Sequence, residues 1–349
     1  MKENVLTIEY VESLLPPAPL SSFQHDDWIS AVESYNQSLF LTGSYDNNVR
    51  IFNTSGECLQ TLVGHLAPIK SVSWVSVSDV NAVCLSASQD RTVRAWQVSL
   101  IDRGYKVLYE CKGHTGSIES VSVHPSCTEF ASASWDSSIL LWSTDKSKEN
   151  DQDFFEISSK KRKLNVDIKI KKPIATMHGH VGPVSSVIFD TKDHNKMYSG
   201  GWDHSLRVWD IESRTNVDTK NCDKSVLDIA YSEKSRLIAS GHSDHVVRLW
   251  DPRSEDTAVV KLALASHKNW VSCVSWSPNS QFMLASGSYD NSLKIWDIRS
   301  KTPLYTLQQN LKEKEKPDCK IFCVNWDSDV ILSGGEDNKL HIYSSKKIT

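Results

Sequence analysis

The sequence predicts an all-β chain of seven tandem repeats closed into one ring, and three observations carry that prediction. An aspartate recurs in polar turn segments at Asp46, Asp90, Asp136, Asp203, Asp244, Asp290 and Asp337. Six residues beyond each stands an aromatic: Phe52, Trp96, Trp142, Trp209, Trp250, Trp296 and Tyr343. Four residues before each stands a hydroxyl: Thr42, Ser86, Ser132, Ser199, Ser240, Ser286 and Ser333. The interval is 41 to 47 residues, except for 67 between Asp136 and Asp203. A unit of that length cannot bury its own apolar faces, so neighbours must stack and the array must close.

The clearest unit is Leu284–Asp297, L-A-S-G-S-Y-D-N-S-L-K-I-W-D. Two strand-like runs, Phe282–Ser286 and Leu293–Trp296, flank the turn Ser288-Tyr289-Asp290-Asn291. Five repeats also carry a histidine 21 to 25 residues before the aspartate: His25, His65, His114, His180 and His267. Gly64, Gly113 and Gly179 precede three of them. In this frame the chain resembles the WD-repeat family, and the resemblance covers nearly its whole length. It implies a seven-bladed WD-repeat β-propeller, each blade made of four antiparallel strands. Repeats five and seven depart from the pattern, with Asn221-Cys222 and Pro317 in the Gly-His slot.

In chain order, residues 4–11 alternate like a strand and run into Leu14-Leu15-Pro16-Pro17-Ala18-Pro19, where prolines break regular structure. Residues 1–17 are therefore expected to be an N-terminal extension and 18–349 the propeller. The segment Leu20–Gln24 leads into His25 as Leu59–Val63 leads into Gly64-His65. This predicts residues 18–24 as an outer strand that completes the last blade and removes an exposed sheet edge. The long interval holds residues 145–172, acidic first (Asp145 to Glu156) and then basic, and reads as a disordered loop between blades three and four. Its tetrad Lys160, Lys161, Arg162 and Lys163 reads as a nuclear-localisation patch or as a solvated charge run. The run from Lys312 to Lys316 reads as solvated.

The net charge of −4 gives no general bias toward nucleic acid or membrane. Eight cysteines without a C-x-x-C pair fit a reducing compartment. There is no run of about 18 apolar residues and no signal-peptide core, so a soluble intracellular protein without membrane contact is expected.

Asp, His and Ser together suggest catalysis, but a catalytic set is needed once and this one recurs. A turn aspartate can accept from backbone N–H groups and from an imidazole, which in turn meets the Ser or Thr hydroxyl. In the WD-repeat family this Trp–Ser/Thr–His–Asp set is structural. The resemblance therefore implies structural roles for His65, Asp90, His114, Asp136, His180, Asp203, His267 and Asp290. Histidines and cysteines show no zinc spacing, and no Gly-rich phosphate loop opens a helix. No catalytic residue, cofactor, metal or small-molecule substrate is expected.

Among the twelve tryptophans, five fill the repeat's core position, and Trp74, Trp276 and Trp326 read as packing in first strands. Trp135 and Trp202 precede the turn aspartate, as do Tyr45 and Tyr289, while Trp28 and Trp270 lie three residues after the histidine. In a propeller both positions map to the rim called the top. Six large aromatics there predict a protein interface, unless each lies flat over its own blade. Stacking on single-stranded RNA is disfavoured by the lack of interleaved Lys/Arg clusters.

The strings His25-Asp26-Asp27-Trp28-Ile29-Ser30, Leu41-Thr42-Gly43-Ser44-Tyr45-Asp46, Trp250-Asp251-Pro252-Arg253 and Ser333–Leu340 are similar to the eukaryotic Ytm-type ribosome-biogenesis factors. That resemblance implies a nucleolar complex with a block-of-proliferation (Erb-type) protein and a pescadillo-type protein. It would act on pre-60S particles in maturation of 5.8S and 25S/28S ribosomal RNA, with residence in nucleus, nucleolus and nucleoplasm. Members carry an N-terminal ubiquitin-like domain that engages a midasin-type ATPase. Here only Val5–Val11 looks like its tail, so that partner is expected only if the full protein has the domain. A second reading rests on Trp250-Asp251-Pro252-Arg253 and Trp296-Asp297-Ile298-Arg299, which fit the W-D-x-R motif of substrate receptors of cullin ubiquitin ligases.

Overall fold

Short runs rich in Val, Ile and Leu alternate with Asp/Asn/Ser turns, a pattern that favours hairpins over helices. The computed structural model describes residues 4–6, 24–144, 168–254, 261–308 and 319–345. It contains seven β-sheets and, among the described residues, no helix. The inner strands Ile29–Tyr35, Ile69–Val77, Ile118–Val123, Val184–Phe189, Val226–Ser232, Val271–Trp276 and Ile321–Asp327 each pack against the next. The last packs against the first, so the sheets are blades of a closed seven-bladed propeller.

Each turn aspartate opens the hairpin between a blade's second and third strands. The residue after it, such as Asn47, Asn291 or Asn338, adopts a left-handed φ of 63–68°. Asparagine tolerates that conformation, which explains the Asp-Asn turns. Apolar residues from adjacent blades interleave. Leu41 and Ile51 of blade one, for example, share a cluster with Ile69, Trp74 and Trp96 of blade two. Neighbouring blades approach closely at second-strand glycines. A Cβ on Gly334 would lie 2.5 Å from Ile29 Cγ2, which is how blade seven seats against blade one.

Every inner strand carries a β-bulge at the same point. The pairing register skips Ser30, Lys70, Glu119, Ser185, Leu227, Ser272 and Phe322. A bulge re-aims its extra residue. Three of the serines donate across to the next blade, to the carbonyls of Ile69 (2.5 Å), Val226 (2.7 Å) and Ile321 (2.5 Å). These bonds clip neighbouring inner strands together around the channel.

Among the described residues blade seven has three strands, and Gln24 forms an antiparallel bridge with Lys339 beside its third. The His25 N–H donates to the Asn338 carbonyl at 2.9 Å. The rest of the expected closing strand, residues 18–23, lies outside the described residues, as do 145–167 and 309–318. The expected loop of 145–172 is too long at its far end. Ile170–Lys171 form a strand parallel to Tyr105–Lys112, making blade two five-stranded. Asn4–Leu6 likewise add in parallel beside Pro303–Gln308 of blade six, so these three residues of the extension join the ring.

Candidate protein-interaction site

Four blades build the full side-chain bridge. In blade two His65 Nδ1 lies 2.7 Å from Asp90 and its Nε2 2.8 Å from the Ser86 hydroxyl, to which Trp96 Nε1 donates at 2.8 Å. The sets His114–Asp136–Ser132–Trp142, His180–Asp203–Ser199–Trp209 and His267–Asp290–Ser286–Trp296 repeat this geometry. Burial alone would raise these four aspartates. Hydrogen bonds from the histidine, a nearby hydroxyl and a backbone N–H outweigh it and hold each well below the usual carboxylate range. Both imidazole nitrogens are consumed, which ties the top turn to the blade's core.

The other three blades replace the histidine–aspartate link with a group four residues after the turn aspartate. Arg50 Nη1 reaches Asp46 at 2.5 Å, Arg248 grips Asp244 at 2.5 and 2.8 Å, and His341 meets Asp337 at 2.6 Å. In blade one His25 still bonds Thr42 at 2.9 Å, but its Nδ1 faces Arg50. Burial and then that guanidinium lower its pKa to about 3. A basic residue also stands at that offset in blades two, four and six, as Arg94, Arg207 and Lys294, so the offset alone does not mark the replacement in the sequence.

The six aromatics expected at the top divide into two groups. Trp28, Tyr45, Tyr289 and Trp270 form an arc with Phe322, a bulge residue that the repeat pattern did not single out. Phe322 lies 5.6 Å from Trp28, 6.2 Å from Tyr45 and 5.7 Å from Tyr289, and Trp270 stacks on Tyr289 at 5.9 Å. Trp135 and Trp202 pair with each other across blades three and four at 5.5 Å, 48% and 40% exposed. All of these except Trp28 border a central cavity of about 440 Å³. Trp28 is set back behind Tyr45 and Phe322.

Two further bulge residues meet at the mouth. Lys70 Nζ lies 3.3 Å from Glu119 and donates to the Tyr45 hydroxyl at 3.0 Å. Lower in the wall, burial pushes the Asp228 carboxyl up to about 6 and the Glu33 carboxyl up to about 7. Both accept bonds across blade boundaries: Asp228 from Ser186 Oγ (2.9 Å) and Val274 N–H (3.0 Å), Glu33 from Trp74 N–H (2.6 Å). They are inter-blade acceptors, each tying its own inner strand to a neighbouring blade. Among the described residues no cluster of three metal-ligating side chains occurs.

The WD domain, G-beta repeat family matches residues 17–53, 56–97, 105–143, 171–210, 215–251 and 259–297. A ribosome biogenesis protein WDR12 homolog of Nematostella vectensis is 43% identical over 98% of this chain and 81% of its own length. The corresponding proteins of Ixodes scapularis and Aedes aegypti are 37% and 35% identical, over 99% of this chain and 81% and 78% of theirs. The chain belongs to the WDR12 family of WD-repeat proteins. The seventh blade, which lies beyond the matched repeats, is built by Ile321–Asp327, Val330–Gly335 and Leu340–Ser344.

In this WDR12-family propeller the two W-D-x-R arginines fold back on their own strands. Arg253 pairs with Asp251 at 2.7 Å, and Arg299 pairs with Asp297 at 2.5 Å while stacking on Phe282 at 4.5 Å. Nothing in that geometry favours an adaptor site. The basic tetrad Lys160–Lys163 lies outside the described residues.

Proposed function

We propose that the chain is a non-enzymatic platform in ribosome biogenesis, acting in a nucleolar pre-60S assembly complex. Its top rim binds a partner protein, the block-of-proliferation (Erb-type) subunit, which brings in the pescadillo-type subunit. The complex serves maturation of the 5.8S and 25S/28S ribosomal RNAs. Relatives named ribosome biogenesis protein supply the process, and one observation supplies the site: two paired tryptophans left 48% and 40% exposed at the channel mouth. Large aromatics in such positions are the residues from which interface hot spots are made. Docking to a midasin-type ATPase belongs to this proposal only for a protein that carries a ubiquitin-like domain.

The test is co-purification of the two partner proteins with wild type and with Trp135→Ala/Trp202→Ala, circular dichroism reporting the fold. Capture of both by wild type, lost in a folded double mutant, supports the reading. Failure of wild type to capture either overturns it.

A further inference from the structure

We infer that docking on the top rim is confined to the sector of blades two to four, and that this sector takes an acidic, apolar segment of a partner protein. The inference rests on the platform reading above and narrows it.

The loop residue after the structural histidine is the same geometric position in five blades. It is Leu66 in blade two, Thr115 in blade three and Val181 in blade four, but Asp26 in blade one and Lys268 in blade six. Leu66 is 84% and Val181 87% exposed, the two most exposed large apolar side chains among the described residues. They are held there rigidly, because the N–H of Leu66 donates to Asp90 at 3.0 Å and that of Val181 to Asp203 at 3.0 Å. A loop so pinned presents its side chain at no further entropic cost. Trp135 and Trp202 lie in the same sector, toward the channel.

The opposite arc differs in kind. From blade six through seven to one, Trp270, Tyr289, Phe322, Tyr45 and Trp28 spend their faces on one another. Among the aromatics of that arc only Trp270 stays exposed, at 39%, whereas Leu66, Val181, Trp135 and Trp202 are all exposed in the sector of blades two to four.

Charge selects the occupant. The turn aspartates of the open sector are all bonded to histidines, and Glu119 is paired with Lys70. Arg91 follows the aspartate that holds the Leu66 N–H; it is exposed, with no ion pair among the described residues. It also sits at the left-handed turn position, φ 69°, as does exposed His204 of blade four at φ 62°. Asparagine holds that position at lower conformational cost in blades one, six and seven. The sector thus offers four apolar or aromatic side chains and one uncompensated cation. That matches an apolar segment bearing a carboxylate. A single-stranded nucleic acid needs a track of cations along its backbone, which is absent from these residues.

The test is calorimetric titration of the purified block-of-proliferation-type protein into the propeller, comparing three folded variants. Leu66→Asp/Val181→Asp and Arg91→Glu strike the open sector, and Lys268→Glu strikes blade six. The expected result is at least about tenfold weaker binding for each of the first two, hot-spot scale, and an unchanged constant for the third. Added salt should weaken wild type more than Arg91→Glu. Loss of binding in Lys268→Glu with the other two intact overturns the sector while leaving top-rim docking in place. Wild-type affinity in all three, with Trp135→Ala/Trp202→Ala also intact, overturns both. Absence of wild-type binding, or displacement of the partner by a single-stranded RNA oligomer, overturns the proposal as well.

Discussion

His242 Nε2 lies 2.7 Å from the Ser240 hydroxyl, two residues earlier on the same strand. Trp250 Nε1 donates to that hydroxyl at 2.7 Å, so blade five completes the serine–tryptophan bridge with a histidine from within its own second strand. The Gly-His slot of that repeat, filled by Asn221-Cys222, is not needed. Replacing His242 with Ala should cost about 1–3 kcal/mol in urea unfolding, the scale of a buried polar group left unpaired.

The same residue gives stability a pH slope. Burial first, then the Arg248 charge, lower the His242 pKa from 6.5 to about 4. Between those values the unfolded chain takes up a proton that the folded one refuses, so this contribution falls as pH drops from 6.5 toward 4. His242→Gln should flatten the dependence of Tm on pH across that window. An unchanged slope would contradict the assignment.

Glu33 predicts the opposite slope. Its carboxyl is raised from 4.5 to about 7, chiefly by burial, so its contribution is full below 4.5 and is lost as pH rises through 7. Glu33→Gln keeps an acceptor for the Trp74 N–H without a buried charge. It should therefore raise Tm relative to wild type at pH 8 and by less at pH 5, by differential scanning calorimetry.

Asp290 accepts from His267, from the Lys268 N–H at 2.7 Å and from Ser292. Asp290→Ala should cost about 1–3 kcal/mol by leaving such groups unpaired, and Asp136→Ala the same for an equivalent reason. Both variants should remain folded rings by circular dichroism, since the other blades keep their own bridges or aspartate ion pairs.

Lys171 ties the long insertion to the ring. Its ammonium lies 3.7 Å over the Tyr109 ring and donates to the Ser143 carbonyl at 3.0 Å, joining blades two and three. Lys171→Ala should cost about 1 kcal/mol, the scale of a partly buried cation–π contact. Amide exchange at Glu110, whose N–H bonds the Lys169 carbonyl at 2.9 Å, should accelerate.

The ring was legible because its signals are local. Asp290, Trp296 and Ser286 sit within one hairpin, and six other hairpins repeat their spacing. What escaped the sequence depends on register between strands. Phe322, Lys70 and Glu119 reach the channel mouth only because a bulge turns them there, and a bulge leaves no mark in composition. Ile170–Lys171 lie in a charged segment whose pairing partner is 60 residues away (170 less 110), beyond any local pattern. The division of the top rim was equally hidden, since Tyr289 and Trp202 both precede a turn aspartate and differ in what packs against them.

The most direct test of the platform account is hydrogen–deuterium exchange of the propeller with and without the purified block-of-proliferation-type partner. The account predicts slowed exchange in the top-rim loops around Thr115, Trp135, Val181 and Trp202, and none at the opposite turns around Arg253 and Arg299. Protection at those opposite turns, with the top-rim loops unchanged, would contradict it.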